Sequence, residues 1–469
     1  MDFNANRTAY MTGKDTKMFI KKQLFLFGPL VFFALVHGLF SQQNLPEKIS
    51  DQTDILRKAL QTRAIAYKLT EPQEVEQIFG QPQKEIKRKD GGMDVLEMIY
   101  PHLEFLFGKY RNDKKGVFTL LHISMNKKEI DIGQNEKLVL RNNDDLKKLN
   151  PIEGLQNVSL RKVDLSHESA WLATMPFDSR TEWPAADSLP AGFDPHRLLE
   201  AGKNPGLGIR SLHAQGITGR GVGLAVIDQP LLLDNEEYAE RLVRYDATGM
   251  AGIPPQMHGS PIAAVAVGKD LGVAPDAALS WFAVPMWEKD NAGYIRALRM
   301  IFALNELLPL DEMIRVVSIS DGRFAVKKHF SQWRTVLKEA EERGIFVVTC
   351  DTSTWRFGTL SRIEGADPDL AESYQIGKYS LPDDVIRIPA GNKTLAGHSG
   401  PGVYFYDREG GRSWAAPYLA GLAALALQVN PQIRPQQIKA LLLKTAVLTS
   451  AGAVVNPTGF IKGVKEILK

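Results

Sequence analysis

Three short segments carry the side-chain types of nucleophilic catalysis: a carboxylate at Asp228, an imidazole at His258 and a hydroxyl at Ser413. Asp228 closes the apolar run Val222–Asp228 and is followed by Gln229-Pro230. A lone Asp there is usually a cap or loop residue, yet the end of a buried strand is also where an α/β sheet presents catalytic groups. His258 stands in Met257-His258-Gly259-Ser260-Pro261, ahead of the small and apolar stretch Ile262–Gly268. Pro261 suits the first turn of a helix, where its missing N–H is no loss, so His258 falls at a helix start. Taken alone, such a His is more often structural than catalytic. Ser413 lies in Gly411-Arg412-Ser413-Trp414-Ala415-Ala416-Pro417, which runs into the uncharged stretch Tyr418–Val429. One reading is an N-cap serine. The other is a nucleophile whose developing oxyanion meets the free N–H groups and positive end of the helix. Position 415 is Ala, so this is not the Gly-x-Ser-x-Gly elbow of α/β-hydrolases.

The pattern around these segments supplies elements able to position them. Val222–Asp228, Met313–Ser320 and Gly344–Cys350 are continuous apolar runs of strand length, as expected of parallel strands buried on both faces. Helical stretches lie between and after them: Tyr294–Leu308, Lys328–Arg343, Trp414–Val429 and Pro435–Thr445. Alternation of this kind predicts an α/β fold, a parallel sheet with helices on both faces, with the loops after the strands gathered along one edge.

The order is Asp, His, Ser, at separations of 258 − 228 = 30 and 413 − 258 = 155 residues. In this order and with these surroundings the chain resembles the subtilisin-like serine peptidases, the subtilases, from about Gly216 to the C-terminus. The resemblance includes Gly216-Ile217-Thr218-Gly219-Arg220-Gly221-Val222, the loop Gly272-Val273-Ala274-Pro275-Asp276-Ala277 and the helix opening Ala415-Ala416-Pro417-Tyr418-Leu419-Ala420-Gly421. The tail Leu441–Ala446 with Val455-Asn456-Pro457 is similar to the family's closing elements. The resemblance implies that Ser413 attacks a scissile carbonyl, that His258 takes and returns the proton, and that Asp228 orients the imidazole. It implies that the Ser413 N–H forms half of an oxyanion hole. It makes Ser320, Asp321 and Gly322 the substrate-lining strand and pocket wall, with Asp290–Gly293 across an extended peptide.

The motifs depart from the family's usual form. Gln229-Pro230 follows the Asp where Thr-Gly or Ser-Gly is usual, Pro261 replaces a second His, and Arg412 and Trp414 flank the Ser. The family's oxyanion Asn has no counterpart. Thr352-Ser353 falls at its place, so Ser353 is the candidate donor, with Asp351 close by. Loss of one such donor costs on the order of 10²–10³ in turnover. His398 reads as a surface-loop residue, and Cys350 as an inert small hydrophobe at a strand end. His102, His122, His167, His196, His213 and His329 have no metal-ligand spacing. Calcium is common in the family. Glu364, Asp367 and Asp369 form a loose acidic cluster, but nothing has the spacing of a calcium loop. The expectation is no cofactor, and no metal assigned to these residues.

The rest of the sequence bounds these readings. The chain has 469 residues, with 44% hydrophobic and 24% charged, which excludes wholesale disorder and a multi-span membrane protein. The net charge of +3 gives no argument for nucleic acid as a partner. One cysteine excludes intrachain disulfides and cysteine-based clusters. Residues 1–41 read as upstream residues and a signal peptide. Lys21 and Lys22 precede the apolar stretch Leu24–Phe40, and Met18 is a second candidate start. The alternative is an uncleaved anchor, the one case in which the membrane is a partner. Either way the bulk of the chain is expected to be exported, to the cell envelope or beyond.

Residues 45–150 read as a small α+β domain, with helices over Leu56–Ala66 and Pro72–Phe79 and strands over Val95–Tyr100, Leu103–Tyr110 and Val117–Ser124. A pro-region and a retained recognition or spacer domain fit it equally. Residues 151–210 form a proline-rich connector, and 211–469 the subtilisin-like domain. The function expected is an exported serine endopeptidase acting on polypeptides. The alternative is a catalytically silent module of the same fold that binds peptides or protein partners.

Overall fold

A run of apolar residues without polar alternation needs cover on both faces, and β6 (Gly223–Asp228) is buried at every position. The computed structural model describes residues 55–467, apart from 57, 61–62, 91–92, 111–116, 126–127, 131–136, 150–153 and 251. The segment read as a signal peptide lies outside the described residues.

The chain divides into two compact units, residues 1–150 with 159–163, and residues 151–158 with 164–469. The first contains helix α1 (Pro72–Phe79) and an antiparallel five-stranded sheet. Its strands run in sequence order: β1 (Lys84–Asp90), β2 (Met93–Ile99), β3 (Leu103–Tyr110), β4 (Thr119–Met125) and β5 (Lys128–Ile130). Val75, Met98, Phe105, Phe107 and Ile123 form its core. The helix expected over Leu56–Ala66 is helical at 55–56 and 58–60 and gives way to turns from residue 63. Lys84–Asp90, a dense run of charged residues, is an edge strand with almost every residue exposed. Charged side chains on an edge strand keep it from pairing with other chains.

The second unit is built on a wholly parallel sheet in the order β7 (Leu242–Asp246), β8 (Ala278–Ala283), β6, β9 (Ile314–Ile319), β10 (Phe346–Thr349). Successive side chains on a strand point to opposite faces. Ala225, Ile227, Val317 and Ile319 pack with helices α3 (Ala292–Asn305) and α4 (Phe330–Glu342). Helices α2 (Gly259–Val267) and α5 (Arg412–Val429) pack against the sheet as well. They are buried along nearly their whole length, which their small and apolar composition allows. A second sheet is ordered β12 (Tyr374–Ile376), β11 (Phe357–Arg362), β13 (Ile386–Gly391), β17 (Gly452–Val454), β16 (Val447–Thr449). Strands β14 (Lys393–Ala396) and β15 (Tyr404–Asp407) form a third with the short strand Phe177–Asp178. The proline-punctuated stretch is thus partly ordered, with Phe177–Asp178 in a sheet and Pro195–Gly202 helical. This is the α/β architecture expected from the sequence. Among the described residues no helix is long and apolar enough to cross a membrane.

Candidate active site

Because β6, β9 and β10 are parallel, Asp228, Ser320-Asp321 and Cys350-Asp351 emerge at one edge of the sheet. His258 is the residue on which α2 begins. Its Nδ1 lies 2.7 Å from Asp228 Oδ1, and the same oxygen accepts the Gln229 N–H at 2.8 Å. Asp228 is fully buried, and its other oxygen has no partner among the described residues. Burial pulls the His258 pKa down. The Asp228 charge and hydrogen bond, with the more distant Asp321 charge, outweigh it, so the net shift is upward. The unusual Gln229-Pro230 pair is accommodated from outside the strand: Trp281 Nε1 donates to the Gln229 carbonyl at 3.0 Å.

Ser413 is the second residue of α5, whose N-cap is Gly411. This removes the capping reading, since Gly411 has no side chain and Ser413 does not occupy the cap. The helix begins earlier than the apolar stretch Trp414–Val429 suggests, so Pro417 lies inside it, beyond the first turn where a proline is harmless. A proline leaves the carbonyl four residues earlier without a helical donor. That carbonyl belongs to Ser413, and the Ser320 hydroxyl donates to it at 2.9 Å. The Ser413 hydroxyl in turn lies 3.5 Å from the Ser320 carbonyl, at the limit of a hydrogen bond. Among the described residues, His258 bonds to Asp228 and not to Ser413.

The flanking residues fix this turn from both sides. Arg412 reaches Asp384 Oδ1 at 3.1 Å and the Tyr379 carbonyl at 3.2 Å. Trp414 donates from Nε1 to Asp407 Oδ2 at 2.6 Å, and its ring lies 5.4 Å from that of His258. Neither contact was legible in the sequence, because each spans a turn or separate elements.

Of the residues assigned to the pocket wall, Asp321 is buried and committed. It accepts from Tyr294 Oη at 2.7 Å, Lys327 Nζ at 2.5 Å and the N–H groups of Gly322 and Arg323. Burial pushes its carboxyl up, but the Lys327 and Tyr294 bonds hold it below the usual range. Gly322 allows close approach of the neighbouring loop, since a Cβ there would sit 2.5 Å from the Cys350 carbonyl oxygen. Ser353 is exposed, and its N–H donates to Asp351 Oδ1 at 2.9 Å. His398 is half-buried, not a fully exposed loop residue, and burial lowers its pKa. Burial likewise pushes the Cys350 thiol up, away from reactivity. In the acidic cluster, Glu364 pairs with Arg408, Asp367 accepts from the Asp369 N–H, and Asp369 from the Gly208 N–H.

Comparison with known proteins gives a consistent set of likenesses. Residues 377–462, a span that contains Ser413, match the Subtilase family profile. The Subtilisin-like protease PopC of Myxococcus xanthus (strain DK1622) is 24% identical over 282 residues. That alignment covers 51% of this chain and 58% of the relative, so the chain spans less than two thirds of that protein's length. A structure of the subtilase cytotoxin SubAB assembly aligns over 56% of this chain and 96% of its own, at 18% identity and a TM-score of 0.45. Fervidolysin from Fervidobacterium pennivorans, described as a keratinolytic enzyme related to subtilisin, aligns over 55% of this chain and 45% of its own, at 16% identity and a TM-score of 0.41.

Proposed function

The chain carries a subtilase-family domain, and on that premise we propose that it is an exported serine endopeptidase that cleaves polypeptides through Asp228, His258 and Ser413. The observation that carries this is the 2.7 Å bond between His258 Nδ1 and a fully buried Asp228 carboxylate. That bond fixes the tautomer and leaves the other ring nitrogen to accept a proton. Ser413 Oγ attacks the substrate carbonyl carbon as His258 takes its proton. The tetrahedral intermediate collapses by expelling the amine, which receives that proton, and water then hydrolyses the acyl-enzyme. The uncapped first turn of α5 offers the Ser413 N–H to the oxyanion. Ser353 would be the second donor after a rotation of its exposed side chain. The peptide is held in extended form along Ser320–Gly322. No step requires a metal or cofactor.

A second reading, a silent module that holds peptides in the same cleft, is favoured by one observation: the Ser413 hydroxyl faces the Ser320 carbonyl rather than His258. Covalent labelling with a fluorophosphonate probe separates the two. Wild-type protein is expected to label and Ser413→Ala not to, with melting temperatures within a few degrees of each other. An absence of labelling in wild type, or equal labelling in Ser413→Ala, overturns the peptidase reading.

A further inference from the structure

The residue after the proposed nucleophile is a tryptophan, and its side chain is buried. Two contacts define its place. The indole lies against the His258 imidazole, ring centres 5.4 Å apart and planes inclined by 35°. Its N–H is held by Asp407 Oδ2 at 2.6 Å. Asp407 ends β15, and its other oxygen accepts the N–H groups of Glu409 at 3.2 Å and Gly410 at 3.4 Å. The carboxylate is therefore oriented by its own backbone turn before it receives the indole. The indole packs beside the imidazole, while Asp228 holds the ring at Nδ1. The imidazole is thus held by one hydrogen bond and one ring contact.

We propose that Trp414, anchored by Asp407, is a positioning residue for His258, holding the imidazole for proton transfer and shielding it from water. This rests on the peptidase reading above. The indole covers part of the imidazole, whose side chain is 15% exposed, and the charges that act on the ring are those of Asp228 and, more distantly, Asp321.

The test is the rate of fluorophosphonate labelling of the full chain as a function of pH, with melting temperatures measured alongside. Trp414→Leu removes the ring and is expected to slow labelling by about tenfold or more. It is also expected to move the acid-side midpoint upward, because solvent then reaches the imidazole. Trp414→Phe keeps a ring without the N–H and is expected to lose about threefold, with the midpoint in place. Asp407→Asn keeps an oxygen for the indole and should stay near wild type, whereas Asp407→Leu leaves the ring without its anchor and should behave like Trp414→Phe. Should Trp414→Leu fail to fold, Trp414→Met takes its place in the comparison. Equal slowing by the Leu and Phe variants, or Leu labelling within about twofold of wild type at an unchanged midpoint, overturns the assignment while leaving the peptidase reading intact. Failure of wild type to label overturns that reading instead.

Discussion

Burial and charge act on His258 in opposite directions, and the charge prevails. A raised pKa keeps the imidazole protonated to higher pH, and a protonated imidazole cannot act as base. Labelling of Ser413 should therefore rise with pH through a midpoint above the ordinary value of 6.5. Asp228→Asn removes the charge that raises the pKa, so its midpoint should fall below that of wild type. Its rate should also drop by about 10³–10⁴, because the amide no longer selects the working tautomer. A wild-type midpoint below 6.5, or an Asp228→Asn midpoint unchanged from wild type, would contradict this account of the pair.

At the scale of elements, the notable join is between the end of β9 and the start of α5. Pro417 deprives the Ser413 carbonyl of its helical donor, and Ser320 replaces it. Ser320→Ala leaves that part-buried carbonyl without its donor and should cost about 1 kcal/mol. Pro417→Ala restores an N–H at the position that would donate to it. The double variant should then be less destabilised than the sum of the singles, by about 0.5–1.5 kcal/mol in a denaturant-melting cycle. Strict additivity would show that the two residues do not share the carbonyl. The sequence made the two partners visible but not the bond. Sequence alone suggests a pocket wall at Ser320, and nothing local places the helix start at Arg412. What was legible is what local pattern dictates: the buried strand Gly223–Asp228, the helix start at His258, the long apolar helix over Trp414–Val429, and the alternation of strand and helix. What was hidden depends on contacts between distant segments, such as Asp321 with Tyr294 and Lys327, or on a strand whose charges mask its conformation, as in Lys84–Asp90.

The whole molecule carries a cost that its composition does not reveal. Lys393, on β14, is 3% exposed, and its Nζ has no hydrogen-bond partner among the described residues. Its register partner on β15 is Asp407, whose carboxylate is engaged by Trp414 and two backbone N–H groups. Burial, with Arg362 adding to it and Asp407 opposing, pushes the ammonium pKa down from 10.5 to about 7. A base whose folded pKa is depressed binds fewer protons folded than unfolded between those two values, so its contribution to stability rises with pH across that window. Below about 7 the full penalty of a buried charge is present, of the order of a few kcal/mol; above 10.5 it vanishes. Lys393→Met keeps the volume and removes the charge. It should raise the melting temperature at pH 6 by several degrees, on the order of 2–4 °C per kcal/mol for a unit of this size. The gain should shrink steadily as the pH approaches 10. A stabilisation independent of pH would mean that Lys393 is neutral throughout or paired in solution, and a loss of stability at pH 6 would mean that its ammonium is a favourable part of the fold.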